Sequence, residues 1–515
     1  MCIIGAGAAG ITLAMKLSSP HRSICVLEGG GRSMRRASQA LLEGESDPGY
    51  PPLRTARVAA LGGSTHVWSG WCRPLDAIDF ERRPEMPHSG WPLSLADLQP
   101  FYAQAHEVLQ LGPYDYDPTA WERSSGTARL PLADERIATL LFRQSPVSFG
   151  SAYRDALAKS PEVHVYLHAS AARLRFSVAA TSITSVEVAT PNGHRFEIHP
   201  RLAILAAGGI ENARLLLLSA PGSPRGPANA HGQVGRCFTE HGYVDSAIYV
   251  PAVHGSSLGF YLQNPVRKDG RIRVARGVLA VPGSRQLRDG LLNCAMYFRP
   301  AYETHPAFDN PGVQALLRVW DMLKGRAVPD RIWTRLSCAA RSPYALARAA
   351  WSKLRNGPDG AQEWRMRALF ECAADPDNRV ELGSARDAMG RPLARLRWRM
   401  RAFDVQSVAR SHMILDEALR AARVGHLRLR GDRWDEWLAA AQPGMHHTGT
   451  TRMHDDPSQG VVDRNCRVHG VDNLFISGSS VFPTAGCANP TLTVIALSLR
   501  LAAHLRQLHL DRAGY

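Results

Sequence analysis

Two imidazoles and a carboxamide are the residues best placed to do chemistry. The run Gly444-Met445-His446-His447-Thr448-Gly449-Thr450-Thr451-Arg452-Met453 holds adjacent histidines in a loop rich in Gly and Thr, and Ala488-Asn489-Pro490-Thr491-Leu492-Thr493 supplies an amide farther on. A neutral imidazole can take a hydroxyl proton near neutral pH. A carboxamide N–H can donate to an oxygen on which negative charge is building, and it does so at any pH because it does not titrate. Together they suit removal of hydrogen from an alcohol, which also requires an acceptor for the carbon-bound hydrogen. Taken singly, each has a plainer reading. His446 or His447 is a structural histidine in a loop, and Asn489 caps a helix beginning near Pro490.

The other end of the chain can hold the acceptor. Met1-Cys2-Ile3-Ile4 is an apolar run that predicts a buried parallel strand. Gly5-Ala6-Gly7-Ala8-Ala9-Gly10 follows at once, then Ile11, Leu13, Ala14 and Leu17 at helical spacing. Ser23-Ile24-Cys25-Val26-Leu27 reads as a second strand ending at Glu28. Strand, Gly-rich turn, helix, strand and acid in this order form the dinucleotide fingerprint in the context it needs. Gly5 permits the tight turn, Gly7 lets backbone approach a pyrophosphate, and Gly10 lets helix and strand pack closely. The helix N-terminus faces the phosphates, and Glu28 is placed to accept from a ribose diol. Without its flanking strands, GxGxxG is an ordinary turn, and the fingerprint does not separate FAD from NAD. Only four residues precede Gly5, against roughly five to six in a usual strand. The expectation is that the natural N-terminus is incomplete here and that a targeting segment can precede it.

At 515 residues the chain exceeds one usual domain. Segments of the nucleotide fold recur along it without being contiguous: 1–30, a strand over 163–168, a strand running into glycines and a helix over 201–218, a strand over 473–476, and a closing helix over 490–505. Residues 245–300 and 366–400 alternate in strand fashion, 311–355 is helical, Arg-rich and Trp-bearing, and 404–424 is an amphipathic helix. The expected architecture is an α/β Rossmann-like domain from 1–80, 160–242 and 440–515. It is interleaved with an α+β substrate-binding domain, built on an antiparallel sheet, from 81–159 and 243–439. Within the second, 311–355 forms a helical insertion. Trp320, Trp333 and Trp351 among arginines invite a membrane-surface reading, but ordinary helices of an insertion are the stronger expectation.

Composition excludes several classes. The net charge is +15, yet only five of the 61 basic residues are Lys, so the excess reflects an Arg bias rather than a basic surface shaped for a partner. No basic run interleaves with aromatics, which argues against nucleic acid. The nine cysteines are scattered, with no CxxC pair and no zinc spacing, so neither a metal site nor a disulfide framework is expected. Such usage suits a reducing compartment and points to the cytoplasm. No run approaches the ~20 apolar residues needed to span a bilayer.

Five ordered segments then resemble one family across nearly the whole length. These are Gly5 to Gly10 with Glu28; Ala60-Leu61-Gly62-Gly63-Ser64-Thr65-His66-Val67-Trp68-Ser69-Gly70; Ala206-Ala207-Gly208-Gly209-Ile210-Glu211-Asn212; Val234-Gly235-Arg236; and the His446 and Asn489 stretches. The chain resembles the glucose–methanol–choline (GMC) oxidoreductases, flavoproteins acting on alcohols, and its C-terminal segment is most similar to the bacterial sugar and polyol dehydrogenases and the pyranose-oxidase branch. The resemblance implies FAD as cofactor. It implies His446, rather than His447, as the base that takes the hydroxyl proton while hydride leaves for flavin N5, with Asn489 as its partner. It also implies that Gly62, Gly63, Ser64 and Trp68 lie along the flavin, and that Ala207, Gly208, Gly478, Ser479, Pro490 and Thr491 contact the cofactor. Some relatives attach flavin covalently through a His near this loop, but His66 stands one position off. Relatives often carry Asp where this chain has Gly478, so contacts there must come from backbone or neighbours.

The implied substrate is a small alcohol, sugar or polyol. No cage for a quaternary amine is visible, which disfavours choline. The implied electron acceptor is dioxygen, a quinone or an electron-transfer protein. Two other readings share the fold: a non-redox flavoprotein lyase using the same base, and a flavin-binding protein without turnover. Only the alcohol oxidoreductase predicts that an alcohol bleaches the flavin anaerobically.

Overall fold

The computed structural model describes residues 1–220, 225–253, 258–268, 270–300, 307, 310–323, 332–355, 364–429, 431 and 433–513. Its first layer is a five-stranded, wholly parallel sheet in the order Leu474–Ile476, Ala203–Leu205, Cys2–Ile4, Ile24–Glu28, Val163–Leu167. The three central strands and Leu474–Ile476 are almost entirely buried, as expected of a sheet covered on both faces. The chain leaves the first strand through the helix Ala8–Leu17 to reach Ile24–Glu28 on one side, while Ala203–Leu205 pairs on the other. The order of connection therefore reverses beside Cys2–Ile4, where open α/β sheets bind ligands. Helices Gly208–Leu218 and Thr491–Ala513 also follow the carboxyl ends of strands of this sheet.

The second layer is a nine-stranded antiparallel sheet. Its main path runs Gly425–Leu429, His241–Pro251, Trp364–Glu371, Cys294–Pro300, Arg271–Ala280, Ala138–Gln144, Trp71–Cys72, with Asn264–Lys268 and Gln442–Pro443 paired at its margins. Tyr243 stands opposite Leu369, and a bulge between Asp245 and Ala247 shifts the register beyond it. One face of this sheet packs on the helix Ala402–Ala421 through Val405, Val408, Leu415 and Leu419. A separate cluster of Trp71, Phe142, Val278, Tyr297 and Leu369 forms on its other face.

The division between the units departs from the sequence expectation at three places. Arg379–Arg386 and Pro392–Arg397 pair with each other and with Gly44–Ser46, and Val380, Ala394 and Leu396 enter the core of the parallel sheet. The helix Leu95–Val108, opened by a Ser94–Asp97 capping box, lays Leu98, Tyr102 and Ala105 into the same core against Thr491–Ala513. Trp71–Cys72 instead joins the antiparallel sheet. Each shift has one cause. Strand alternation and helical periodicity report that a face is apolar, not which apolar surface it meets.

Within 311–355 the described residues form the helices Pro311–Leu323, Ile332–Ala340 and Pro343–Arg355. Val313, Val319 and Ala349 are buried, while Leu316, Trp320, Leu323, Trp333, Tyr344 and Trp351 are exposed. No described helix is long and apolar enough to cross a membrane. The nine cysteines are all free, and no metal-binding cluster occurs among the described residues.

Candidate active site

A cavity of about 560 Å³ lies at the carboxyl ends of the parallel strands, with Gly7 and Glu28 in one part of its wall and His446 and Asn489 in another. That volume falls in the usual range for cofactor and ligand sites, roughly 300–1,000 Å³. Three helix N-termini contribute to the wall, through Gly7 and Ala8, through Ala207 to Gly209, and through Pro490 and Thr491. Neither Gly7 nor Ala207, which start the first two helices, makes a side-chain cap. Free N–H groups and the positive ends of helix dipoles therefore face the cavity, an arrangement that favours phosphate.

The glycines divide into two kinds. A Cβ on Gly7, Gly208 or Gly478 would meet no protein atom within 4 Å, so these positions open onto the cavity. A Cβ on Gly10 would stand 1.9 Å from the Gly5 carbonyl oxygen, and one on Gly62 would stand 2.4 Å from the Gly150 nitrogen. Gly10 and Gly62 do not line the cavity. Each lets two backbone segments touch, which is the close packing expected of Gly10. Gly62 N–H donates to the Ala6 carbonyl at 2.7 Å, which joins the two Gly-rich loops.

Glu28 is buried. Its Oε2 accepts from Ala6 N–H at 3.1 Å and its Oε1 from Gly30 N–H at 2.8 Å. Burial raises its pKa, and the two backbone donors oppose that shift. Each oxygen keeps a further lone pair for a ligand hydroxyl. Glu28→Ala is expected to do two things at once: to lower FAD content and to lower the melting temperature of the apo-protein. Two buried donors would be stranded, each at about 1–3 kcal/mol. An unchanged apo melting temperature would remove the loop-bracing role.

Ser64 and Trp68 reach the cavity wall, with Trp68 Nε1–H donating to the Val147 carbonyl at 3.0 Å. His66 does not line the cavity, and its Nε2 is engaged by the Leu61 carbonyl at 2.8 Å. Ser479 lines the wall and donates from Oγ to the His447 carbonyl at 2.6 Å. Arg452 lies off the cavity, bound to Cys237 and to the Gln459 carbonyl.

His446 is the loop histidine that faces Asn489, whose Nδ2 is 3.2 Å from its Nε2. On the other side, His446 Nδ1 is 2.7 Å from Nδ1 of His241, a fully buried residue that sequence reasoning missed. The His446 N–H donates to Glu240 Oε1. Burial first, then the neighbouring His241 and His447, hold the His446 pKa well below the ordinary value. The side-chain amide of Asn489 bonds His446 rather than the first turn of Thr491–Ala513, and its Oδ1 is buried without a protein partner.

His447 lines the cavity beside His446. It is buried, with Nε2 2.8 Å from the Tyr50 hydroxyl, and Tyr50 in turn donates to Glu240 Oε2 at 2.6 Å. Burial pushes its pKa down to about 3 and pushes that of Glu240 up to about 8. Tyr243 and Trp71, from the antiparallel sheet, complete the wall. Contacts between residues 190 to 206 positions apart leave no spacing signal that could have found His241, Glu240 or Tyr50.

Comparison with known proteins identifies the family. The family model for FAD dependent oxidoreductases matches residues 1–331, and that for GMC oxidoreductases matches residues 374–498. The chain belongs to the FAD-dependent oxidoreductases and carries a GMC oxidoreductase C-terminal domain. It is 26% identical to the 6'''-hydroxyparomomycin C oxidase of Streptomyces lividus, over 100% of this chain and 93% of that protein. It is 24% identical to the 2-methyl-1,2-propanediol dehydrogenase of Mycolicibacterium austroafricanum, over 86% and 80% of the two chains. The fold is shared with pyridoxine 4-oxidase from Mesorbium loti, with a TM-score of 0.53 at 15% identity over 98% and 99% of the chains.

The residues fit FAD. The open positions at Gly7, Gly208 and Gly478, the uncapped helix N-termini and the acid at Glu28 make a cradle for a dinucleotide. Asn489 Oδ1 is a buried polar atom still lacking a partner.

Proposed function

We propose that this enzyme oxidises the CH–OH group of a sugar, polyol or related small alcohol, with His446 as base and Asn489 as hydrogen-bond donor. The observation that carries the reading is the pairing of His446 Nε2 with Asn489 Nδ2 at 3.2 Å, in the wall of the cavity that begins at the dinucleotide loop. FAD, when bound, supplies the two-electron acceptor for the hydrogen that leaves carbon as hydride. The chain's residues do the rest. Gly7, Gly208 and the helix N-termini hold the phosphates, and Glu28 accepts from the ribose diol. The substrate hydroxyl displaces the Asn489 N–H from His446 Nε2, and Nε2 takes the hydroxyl proton as the carbonyl forms. The displaced N–H of Asn489 donates to the substrate oxygen while charge develops on it. The walls from Trp71 and Tyr243 exclude water, which strengthens both interactions.

The relatives named above are an oxidase of 6'''-hydroxyparomomycin C and a dehydrogenase of 2-methyl-1,2-propanediol. They support a polyhydroxylated or vicinally hydroxylated substrate and leave the terminal acceptor to dioxygen, a quinone or an electron-transfer protein. The test is an anaerobic screen of sugars, polyols and simple alcohols against the purified flavoprotein, read as loss of flavin absorbance. Bleaching by a hydroxyl compound supports the reading, and no bleaching by any of them overturns it.

Asn489→Ala separates catalysis from capping. Loss of one donor to a developing alkoxide in a dry site slows flavin reduction on the order of 10²-fold. The pH dependence should hardly change, because Asn489 carries no titratable proton. If the residue only capped a helix, the variant would lose ~1 kcal/mol of stability and reduce its flavin at the normal rate. Melting temperature and anaerobic reduction, measured on the same variant, decide.

A further inference from the structure

We infer that His241 is a positioning residue for the base: it fixes the tautomer of His446, so that Nδ1 carries the hydrogen and Nε2 is left bare. The inference rests on His446 being the base and identifies which of its nitrogens is competent.

The hydrogen positions follow from acceptors that cannot donate. His241 Nε2 lies 2.8 Å from the Gly486 carbonyl oxygen. A carbonyl only accepts, so His241 Nε2 bears hydrogen. A neutral imidazole has one N–H, so His241 Nδ1 is a bare lone pair. That nitrogen is 2.7 Å from His446 Nδ1, with the two rings at 85°. Two bare nitrogens cannot sit at that distance, so His446 Nδ1–H donates. His446 Nε2 is then bare, and what faces it is the Asn489 amide, 3.2 Å away. The same logic sets the orientation of that amide: Nδ2 must face the imidazole, and Oδ1 must face away.

The chain of hydrogen bonds holds only while His241 is neutral. A cationic His241 would donate from both nitrogens, turn His446 Nδ1 into an acceptor and place hydrogen on Nε2. His241 is fully buried, and burial lowers its pKa. The nearby carboxylates are engaged by other donors. Glu371 accepts from Arg83 at 2.8 Å through both oxygens, and Glu240 accepts from the His446 N–H and the Tyr50 hydroxyl. After His446 gains the substrate proton, His241 Nδ1 still accepts from Nδ1–H and steadies the imidazolium. The backbone anchor at Gly486 keeps the His241 ring from flipping.

The test uses FAD-loaded protein labelled with ¹⁵N at histidine. The ring nitrogens of His446 are assigned by their loss in His446→Gln. The wild-type spectrum should show a protonated Nδ1 and a bare Nε2. His241→Leu removes the acceptor and should move His446 toward the Nε2–H form. Anaerobic flavin reduction at saturating substrate should then slow on the order of 10²-fold or more, since the wrong tautomer disables a base, while substrate affinity stays near normal. His241→Asn restores an acceptor oxygen near the Nδ1 position and should recover both the Nδ1–H signal and much of the rate. A wild-type His446 carrying hydrogen on Nε2 overturns the inference. So does a His241→Leu protein that keeps the Nδ1–H form and full rate. Should His241→Leu fail to fold, the wild-type spectrum decides alone. A wild-type Nδ1–H signal together with a fully active His446→Ala would leave the tautomer assignment standing and remove His446 as base.

Discussion

His446→Ala is expected to retain its flavin and to reduce it with substrate at least ~10²-fold more slowly, the usual scale for losing a positioned general base. Retention is expected because the cradle at Gly7, Gly208 and Glu28 is built from other residues. The imidazole is held neutral by burial and by the adjacent His241 and His447. Its pKa lies below the value of about 6.5 at which a free histidine half-titrates. The wild-type rate of reduction should therefore hold level as pH is lowered through that value, because the base stays unprotonated there. His447→Ala should be milder in rate, since its Nε2 is bound to Tyr50, away from Asn489. If His447→Ala abolished reduction and His446→Ala did not, the assignment of the base would be reversed.

Gly7→Val and Gly10→Val should fail in different ways. The Gly7 Cα faces open cavity, with no protein atom within 4 Å of an added Cβ, and its φ of −79° suits any side chain. The variant should fold and remain colourless, because the side chain occupies the space through which backbone approaches the pyrophosphate. At Gly10 the added carbon would stand 1.9 Å from the Gly5 carbonyl oxygen. That drives helix and strand apart, so the expected outcome is loss of folded protein rather than clean apo-protein. Absorbance at the flavin band and circular dichroism on both variants distinguish these outcomes. A yellow Gly7→Val would show that the cofactor does not pass over this residue.

The nucleotide loop was legible because all its parts are consecutive in the chain: Cys2–Ile4, the glycines, Ala8–Leu17 and Ile24–Glu28. The segments holding His446 and Asn489 stood out by residue type, and their pairing was what resemblance to the GMC oxidoreductases implied. What surrounds them was not. His241 meets His446 only because His241–Pro251 pairs with Trp364–Glu371 and Gln442–Pro443 in a register that no local pattern encodes. Tyr50, Glu240 and His447 form a buried chain from three distant segments. The closing helix was placed correctly at its start but runs to Ala513, past the expected 505, because its later turns still find apolar contacts such as Leu505 and Leu508. The small sheet joining Gly44–Ser46 to Pro392–Arg397 has the same origin: strand partners are chosen by tertiary packing.

The strand order of the parallel sheet also dictates when the cofactor site can exist during synthesis. Cys2–Ile4 leaves the ribosome some two hundred residues ahead of its neighbour Ala203–Leu205, and far ahead of the outer strand Leu474–Ile476. Until then the first βαβ segment has an open edge of unpaired N–H and C=O groups, the kind of surface that templates aggregation. Such long-range pairing folds slowly, since loop closure precedes any gain from contact. The flavin cavity is therefore expected to form only after Leu474–Ile476 and the segment holding Asn489 have emerged. A ribosome-stalled nascent chain ending near residue 440 should expose a protease-sensitive N-terminal segment and capture no flavin. One released at full length should bury that segment and bind flavin in a single late step.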